Sequence, residues 1–127
     1  MRTTLWSLIV VTVLALALCA FSLLTVSGEV ERADRERLLA VQSLDRGQLP
    51  QAQEALARLD RQWQSVRPGL SVLCAHSALD EVDAALSEAR ACLESGDVEE
   101  GMRALIRLKQ ALYHLRDVEE ATIINLC

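Results

Sequence analysis

The stretch "LESGDVEEGMRALIRLK", Leu93 to Lys109, reads as a variant of "LDRGQLPQAQEALARLD", Leu44 to Asp60. In each, Gly follows Leu three positions on, and a helical run containing Ala-Leu-x-Arg-Leu comes next. The matching positions are Leu44/Leu93, Gly47/Gly96, Ala55/Ala104, Leu56/Leu105, Arg58/Arg107 and Leu59/Leu108. The interval between the two stretches is longer than the ~34 residues of a tetratricopeptide hairpin. Two units also fall short of the about three that a solenoid needs to bury a continuous core. Four short-looped antiparallel helices closing on one another bury their stripes more completely. The expected fold is therefore all-α: a small antiparallel four-helix bundle of two helical hairpins, in which the twin stretches supply the turn and second helix of each.

Working outward, helical spacing appears throughout and strand-like alternation does not. Val30, Ala33, Leu38, Val41 and Leu44 outline a first helix, with Gly47 placed to end it in a left-handed conformation. Pro50 suits a first helical turn. The stripe Leu49, Ala52, Leu56, Leu59, Trp63, Val66 then marks a core face, and Pro68-Gly69 is expected to interrupt it. A third helix is outlined by Val72, Ala75, Leu79, Val82, Leu86, Ala89 and Leu93, with Gly96 as its stop. Asp97 and Glu100 form a capping-box start for a fourth, which carries Val98, Leu105, Leu108, Leu112 and Leu115, widened by Met102 and Ile106. The closing "EEATIINLC" extends that helix or packs as an amphipathic tail.

Ahead of the bundle, Leu5 to Val26 carries no charge, Gly or Pro. At ~1.5 Å per residue it reaches about 33 Å, enough for a ~30 Å hydrocarbon core. The chain thus divides into an N-terminal membrane anchor, 1–27, and a helical domain, 28–127. An uncleaved anchor is expected, because a signal peptide's apolar region is shorter, about 7–15 residues. Cleavage at Val26–Gly28, giving a secreted protein, is the alternative; a lipoprotein site at Cys19 lacks the small residue it needs at Leu18. Counting Lys and Arg alone favours a cytoplasmic C-terminus. Arg2 before the span and Glu29 and Glu31 just after it favour the reverse, a single-pass chain with its bundle outside the cytoplasm.

The chain has a formal net charge of −5, and Arg2 is the one charge before residue 29, so the bundle is one unit more acidic still. An acidic surface without a basic stripe repels phosphate backbones. Beyond the span only Trp63 and Tyr113 are aromatic, too few for a stacking platform. Nucleic acid is excluded as a partner. Cys74 and Cys92, read on one helix, would lie about 27 Å apart and could not bond each other. They read as small core fillers, while a bond from Cys127 is open if the domain lies outside the cell.

Two histidines are the residues with most chemical scope. His76 and Asp80 are an i, i+4 pair, Asp83 shares their side, and His114 could approach from an antiparallel fourth helix. Such a cluster could take zinc or another divalent metal, the basis of a metal- or ligand-sensing alternative. No HExxH, EF-hand or ExxH pattern accompanies it, so the simpler expectations are a carboxylate-bonded structural histidine or a polar patch facing a partner. Trp63 reads first as the largest core side chain and second as an anchor for a partner helix. No Gly-x-Ser-x-Gly elbow or phosphate-cradling loop occurs, and Cys74 and His76, two residues apart on a helix, point different ways. No enzyme activity, cofactor or resident metal is expected.

Trp63, the run "HSALDEVDAAL", then "SGDVEEGMRALIRLKQALYHL" and finally "EEATIINL" together resemble the bacterial family labelled domain of unknown function 4363. The most specific elements are Trp63, His76 with Leu79-Asp80, His114-Leu115 and Asn125-Leu126. The chain departs from that pattern at Pro68-Gly69 and in ending on Cys127. The resemblance implies a small membrane-anchored helical protein and supplies no reaction. The resulting expectation is an accessory or interaction subunit held in the bilayer by Leu5–Val26, with a membrane-protein partner or self-association. Its candidate patch is Trp63, His76, Asp80, His114 and Asn125.

Overall fold

The computed structural model describes residues 1–126, the side chains of Ile123 and Leu126 excepted. Among them are four helices: α1 (Arg2–Asp45), α2 (Leu49–Leu73), α3 (His76–Glu94) and α4 (Val98–Leu126). Each packs against its neighbours in chain order, and α1 closes the ring against α4. The result is an up-down-up-down bundle. Its core is built from Leu and Ala: Ala40 and Leu44 of α1, Leu56 and Leu59 of α2, Leu79 and Leu86 of α3, and Leu105, Leu108 and Leu112 of α4 are all buried. Each such Leu contributes roughly 1.5–3 kcal/mol on burial, and the small Ala residues between them let the helices approach closely.

The twin stretches of sequence are twin caps. Gly47 and Gly96 have φ of 71° and 80°, the left-handed region that suits glycine. After α1, the N–H of Gly47 donates to Leu44 O and that of Gln48 to Ser43 O, at 3.0 and 2.8 Å. After α3, Gly96 donates to Leu93 O and Asp97 to Cys92 O, at 3.2 and 3.0 Å. Both are Schellman motifs, which satisfy the last carbonyls of a helix. The new helix then starts differently in each case. Pro50 opens α2, whereas Asp97 Oδ1 accepts the Glu100 N–H at 3.1 Å to cap α4. The reciprocal arm of a capping box is not made, because the Asp97 N–H is already spent on Cys92. Glu100 turns instead to Arg103, whose guanidinium donates at 2.6 Å and holds the Glu100 carboxyl below its ordinary range.

Several expectations are corrected. Pro68-Gly69 does not break α2, which continues to Leu73. A helix-interior proline costs about 3 kcal/mol. Yet Pro68 and Gln64, whose carbonyl loses its donor, are on the exposed side, where water can serve it. Continuing the helix also carries Leu70 into the core at 2 % exposure and brings Cys74 to the core edge. The break falls at Cys74 and Ala75, both extended, with φ/ψ of −117/159° and −65/130°. Val72 consequently ends α2 in solvent and does not begin α3, and Cys74 and Cys92 belong to different elements; Cys19, Cys74 and Cys92 are free thiols. Cys127 lies outside the described residues. Finally, the α1 core position after Ala33 is taken by Arg37 and not by Leu38, which is 45 % exposed, and Ile106 is likewise exposed.

One helix joins the two parts of the chain. α1 runs 44 residues without a break, about 66 Å at ~1.5 Å per residue. Its N-terminal half is long and apolar enough to cross a membrane. Every residue from Met1 to Leu18 is exposed, and bundle packing starts lower on the helix, with Ser22, Val26 and Val30 buried.

Candidate functional site

Polar contacts between helices run along three seams, while Arg58 of α2 also pairs with Glu36 of α1 at 3.3 Å. Between α2 and α3, Trp63 is buried at 3 % exposure and its indole Nε1–H donates to Asp83 Oδ1 at 2.6 Å. Arg67, one turn further along α2, donates from Nε to Asp83 Oδ2 at 2.7 Å and from Nη2 to Asp80 Oδ1 at 3.0 Å. Asp83 is thus the hub: one oxygen accepts an indole and the other a guanidinium, which satisfies a buried tryptophan and aligns two helices. The Asp80 side chain is 71 % exposed, so its pair with Arg67 adds little.

Between α3 and α4 runs a shallow groove of about 470 Å³. Ala84, Ala85 and Ala111 contribute to its lining, with Gln110 beside them. Two contacts bridge the same helices: a hydrogen bond from His114 Nδ1 to Glu81 Oε2 at 2.7 Å, and an ion pair from Arg107 Nη2 to Glu88 Oε1 at 2.5 Å. Both pairs are about half exposed.

The third seam holds buried polar groups of α1 and α4. Asp34 accepts from Arg37 Nε at 2.7 Å and from the Tyr113 hydroxyl at 3.3 Å. The Arg116 guanidinium sits 4.7 Å from the Tyr113 ring centroid, within cation–π range. One end of this seam is less ordinary. Glu119, 6 % exposed, accepts a hydrogen bond from Ser22 Oγ at 3.2 Å. The Cys74 thiol lies beside them: burial, then the charge and hydrogen bond of Glu119, push its pKa up to about 11. A thiol so raised is almost wholly protonated at neutral pH and is a poor nucleophile.

The residues of the candidate patch are dispersed over these seams. Trp63 and Asp80 meet through Arg67 and Asp83, while His76 is the exposed first residue of α3. His114 pairs with Glu81 across the groove, and Asn125 is exposed in the last turn of α4. The His76–Asp80–His114 cluster of the metal-sensing alternative is not assembled. Among the described residues no three His, Cys, Asp or Glu side chains converge to hold a metal. The physical reason is that Asp80 and His114 each have a nearer partner. Two features escaped the sequence reading: Asp83 as the hub, and the Ser22–Glu119–Cys74 junction. The signal for Glu119 is its spacing of four from Leu115, which continues the core stripe of α4.

A family model described as "Domain of unknown function (DUF4363)" matches residues 31–126. The chain belongs to the DUF4363 family. The match takes in α2, α3 and α4 and the part of α1 that follows Val30, so it covers most of the bundle and leaves the apolar half of α1 outside it. No curated protein and no solved structure matches the chain. Family membership therefore brings no activity with it.

Proposed function

We propose that this chain is a single-pass, membrane-anchored helical bundle without enzymatic activity, acting as an accessory or interaction subunit through contact with a membrane-protein partner. One observation carries the reading: α1 is a single uninterrupted helix, exposed and apolar in its first half and a member of the bundle core in its second. A bilayer covers the first half at no cost to the bundle. Retention of the segment is supported by the same helix. Cleavage at Val26–Gly28 would cut within α1 and strip Ser22 and Val26 from their packing. Lack of catalysis is supported by how the reactive groups are used, with the Cys74 thiol raised, His114 held by Glu81 and Asp83 shared between Trp63 and Arg67. The extracytoplasmic placement of the bundle rests on Arg2 before the apolar segment and the acidic Glu29 and Glu31 after it.

The test is affinity capture of the full chain from membranes solubilised in mild detergent, with the intact mass of the captured chain read alongside. A stoichiometric membrane-protein partner and an uncleaved mass are expected. A chain recovered alone and as a monomer, under conditions that preserve other membrane complexes, would overturn the interaction reading. A mass short by the first 26 to 28 residues would overturn the anchor.

A further inference from the structure

We infer that the end of the bundle from which the apolar half of α1 emerges is itself a lipid-contacting surface, seated in the bilayer interface; the inference rests on the membrane-anchor reading above. Because the bundle is antiparallel, the α2/α3 junction and the last turns of α4 return to the level where α1 leaves the core. The Ser22–Glu119 hydrogen bond fixes that level on α1 and α4, and the Cys74 thiol beside Glu119 fixes it for the junction.

The two ends of the bundle differ in character. At the far end, the ends of α1 and α3, the turns after them and the start of α4 carry Asp45, Arg46, Glu94, Asp97, Glu99 and Glu100. At the near end, Leu70 to Ala75 contains no charged side chain, and none follows Glu120 on α4. Large apolar groups there face outward: Val72 is 85 % exposed, Leu73 38 % and Ile124 73 %. Leu24 of α1, 73 % exposed, lies near the level of Val72, and Ile124 lies further along toward the apolar segment of α1. From Glu119, α4 runs on through Leu126 toward the N-terminus of α1, a further ~10 Å at ~1.5 Å per residue. That matches the ~5–10 Å to which interfacial helices sink between headgroups and acyl chains. The occupant is a lipid surface and not a protein groove, because α1 enters it without a hinge. A span crossing the bilayer must bring this apolar rim to the membrane at a fixed distance. The rim carries no cluster of Lys or Arg, so zwitterionic lipid suffices.

The experiment places one environment-sensitive fluorescent amino acid at position 14, 72, 98 or 124 of the full chain, in phosphatidylcholine vesicles. Brominated acyl chains serve as the quencher. Position 14 reports the anchor, 72 and 124 report the proposed surface, and 98 reports the far end, where Val98 is 40 % exposed. The expected result is loss of emission at 14, 72 and 124 and none at 98. At 72 and 124, bromines near the headgroup should quench best, and at 14 bromines deep in the chains. Quenching at 14 with 72 and 124 as unaffected as 98 would overturn this inference and leave the anchor intact. An unquenched position 14 would overturn the anchor and this surface together.

Discussion

Trp63 shows how one side chain can hold two helices. Its ring fills the α2/α3 core while its N–H is taken by Asp83, so the indole is satisfied at both ends. Trp63→Phe keeps most of the apolar volume but removes the donor, leaving half of Asp83 unpaired. Asp83 is 32 % exposed, so water replaces part of the lost bond and a loss of about 1 kcal/mol is expected, read as the shift in a chemical denaturation midpoint. Cys74 makes a different prediction. Its thiol pKa is raised in the folded chain from an ordinary 9.0 to about 11. Below pH 9 both states hold the proton and the group has no pH-dependent effect. As pH rises toward 11 the unfolded thiol ionises first, so stability falls across that window. Denaturation midpoints should therefore drop more steeply with alkaline pH for the native chain than for Cys74→Ala. Equal slopes would show that Glu119 and burial do not act on this thiol.

At the scale of the element, α2 carries its own handicap. Pro68 sits on the solvent side of a helix that continues for another turn to seat Leu70 and Cys74. Restoring the missing N–H should help: Pro68→Ala is expected to raise the melting temperature, with a gain of about 1–3 kcal/mol from the relief of an interior proline. A neutral or destabilised variant would mean that α2 needs a bend there to reach the Cys74–Ala75 junction. The same element marks the limits of sequence reading. The stripes Leu56–Leu59–Trp63 and Leu105–Leu108–Leu112–Leu115 were legible because burial enforces steps of three and four. The two Gly turns were legible because only a left-handed residue closes a Schellman cap. Pro68 misled because a local rule for the preceding residue was outweighed by packing one turn later. Arg37 misled similarly: its stem fills a core position and Asp34 meets its charge, so a stripe read by apolar residues alone slid to Leu38. The site was less legible than the fold, since Asp83 and Glu119 acquire their roles from helices distant in the chain.

For the molecule as a whole, the junction of anchor and bundle is the Ser22–Glu119 contact. Ser22 Oγ donates to this buried carboxylate, with the Cys74 thiol beside it as a second donor. Ser22→Ala should cost about 1–3 kcal/mol of unfolding free energy, and pairing it with Glu119→Leu should recover much of that loss by removing the stranded charge. Measured as a double-mutant cycle in detergent, additive effects would show the contact to be incidental. The His114–Glu81 pair offers a contrast. It is about half exposed, and His114→Ala should change stability by under about 1 kcal/mol.

The unbroken course of α1 has a last consequence, which is one of phase. A helix turns by about 100° per residue, and no flexible joint lies between the free half of α1 and the core half to absorb a mismatch. The compass bearing of the groove between α3 and α4, seen down the membrane normal, is thus encoded in the number of residues that precede Ser22. Adding a single residue near Ala15 would leave the bundle's interior untouched yet swing every side chain before it by about 100° around the axis. Adding seven would return them nearly to their starting bearing, about 10 Å further out at ~1.5 Å each. Whatever touches both ends of this protein must read them at a set angle, as wards read a key.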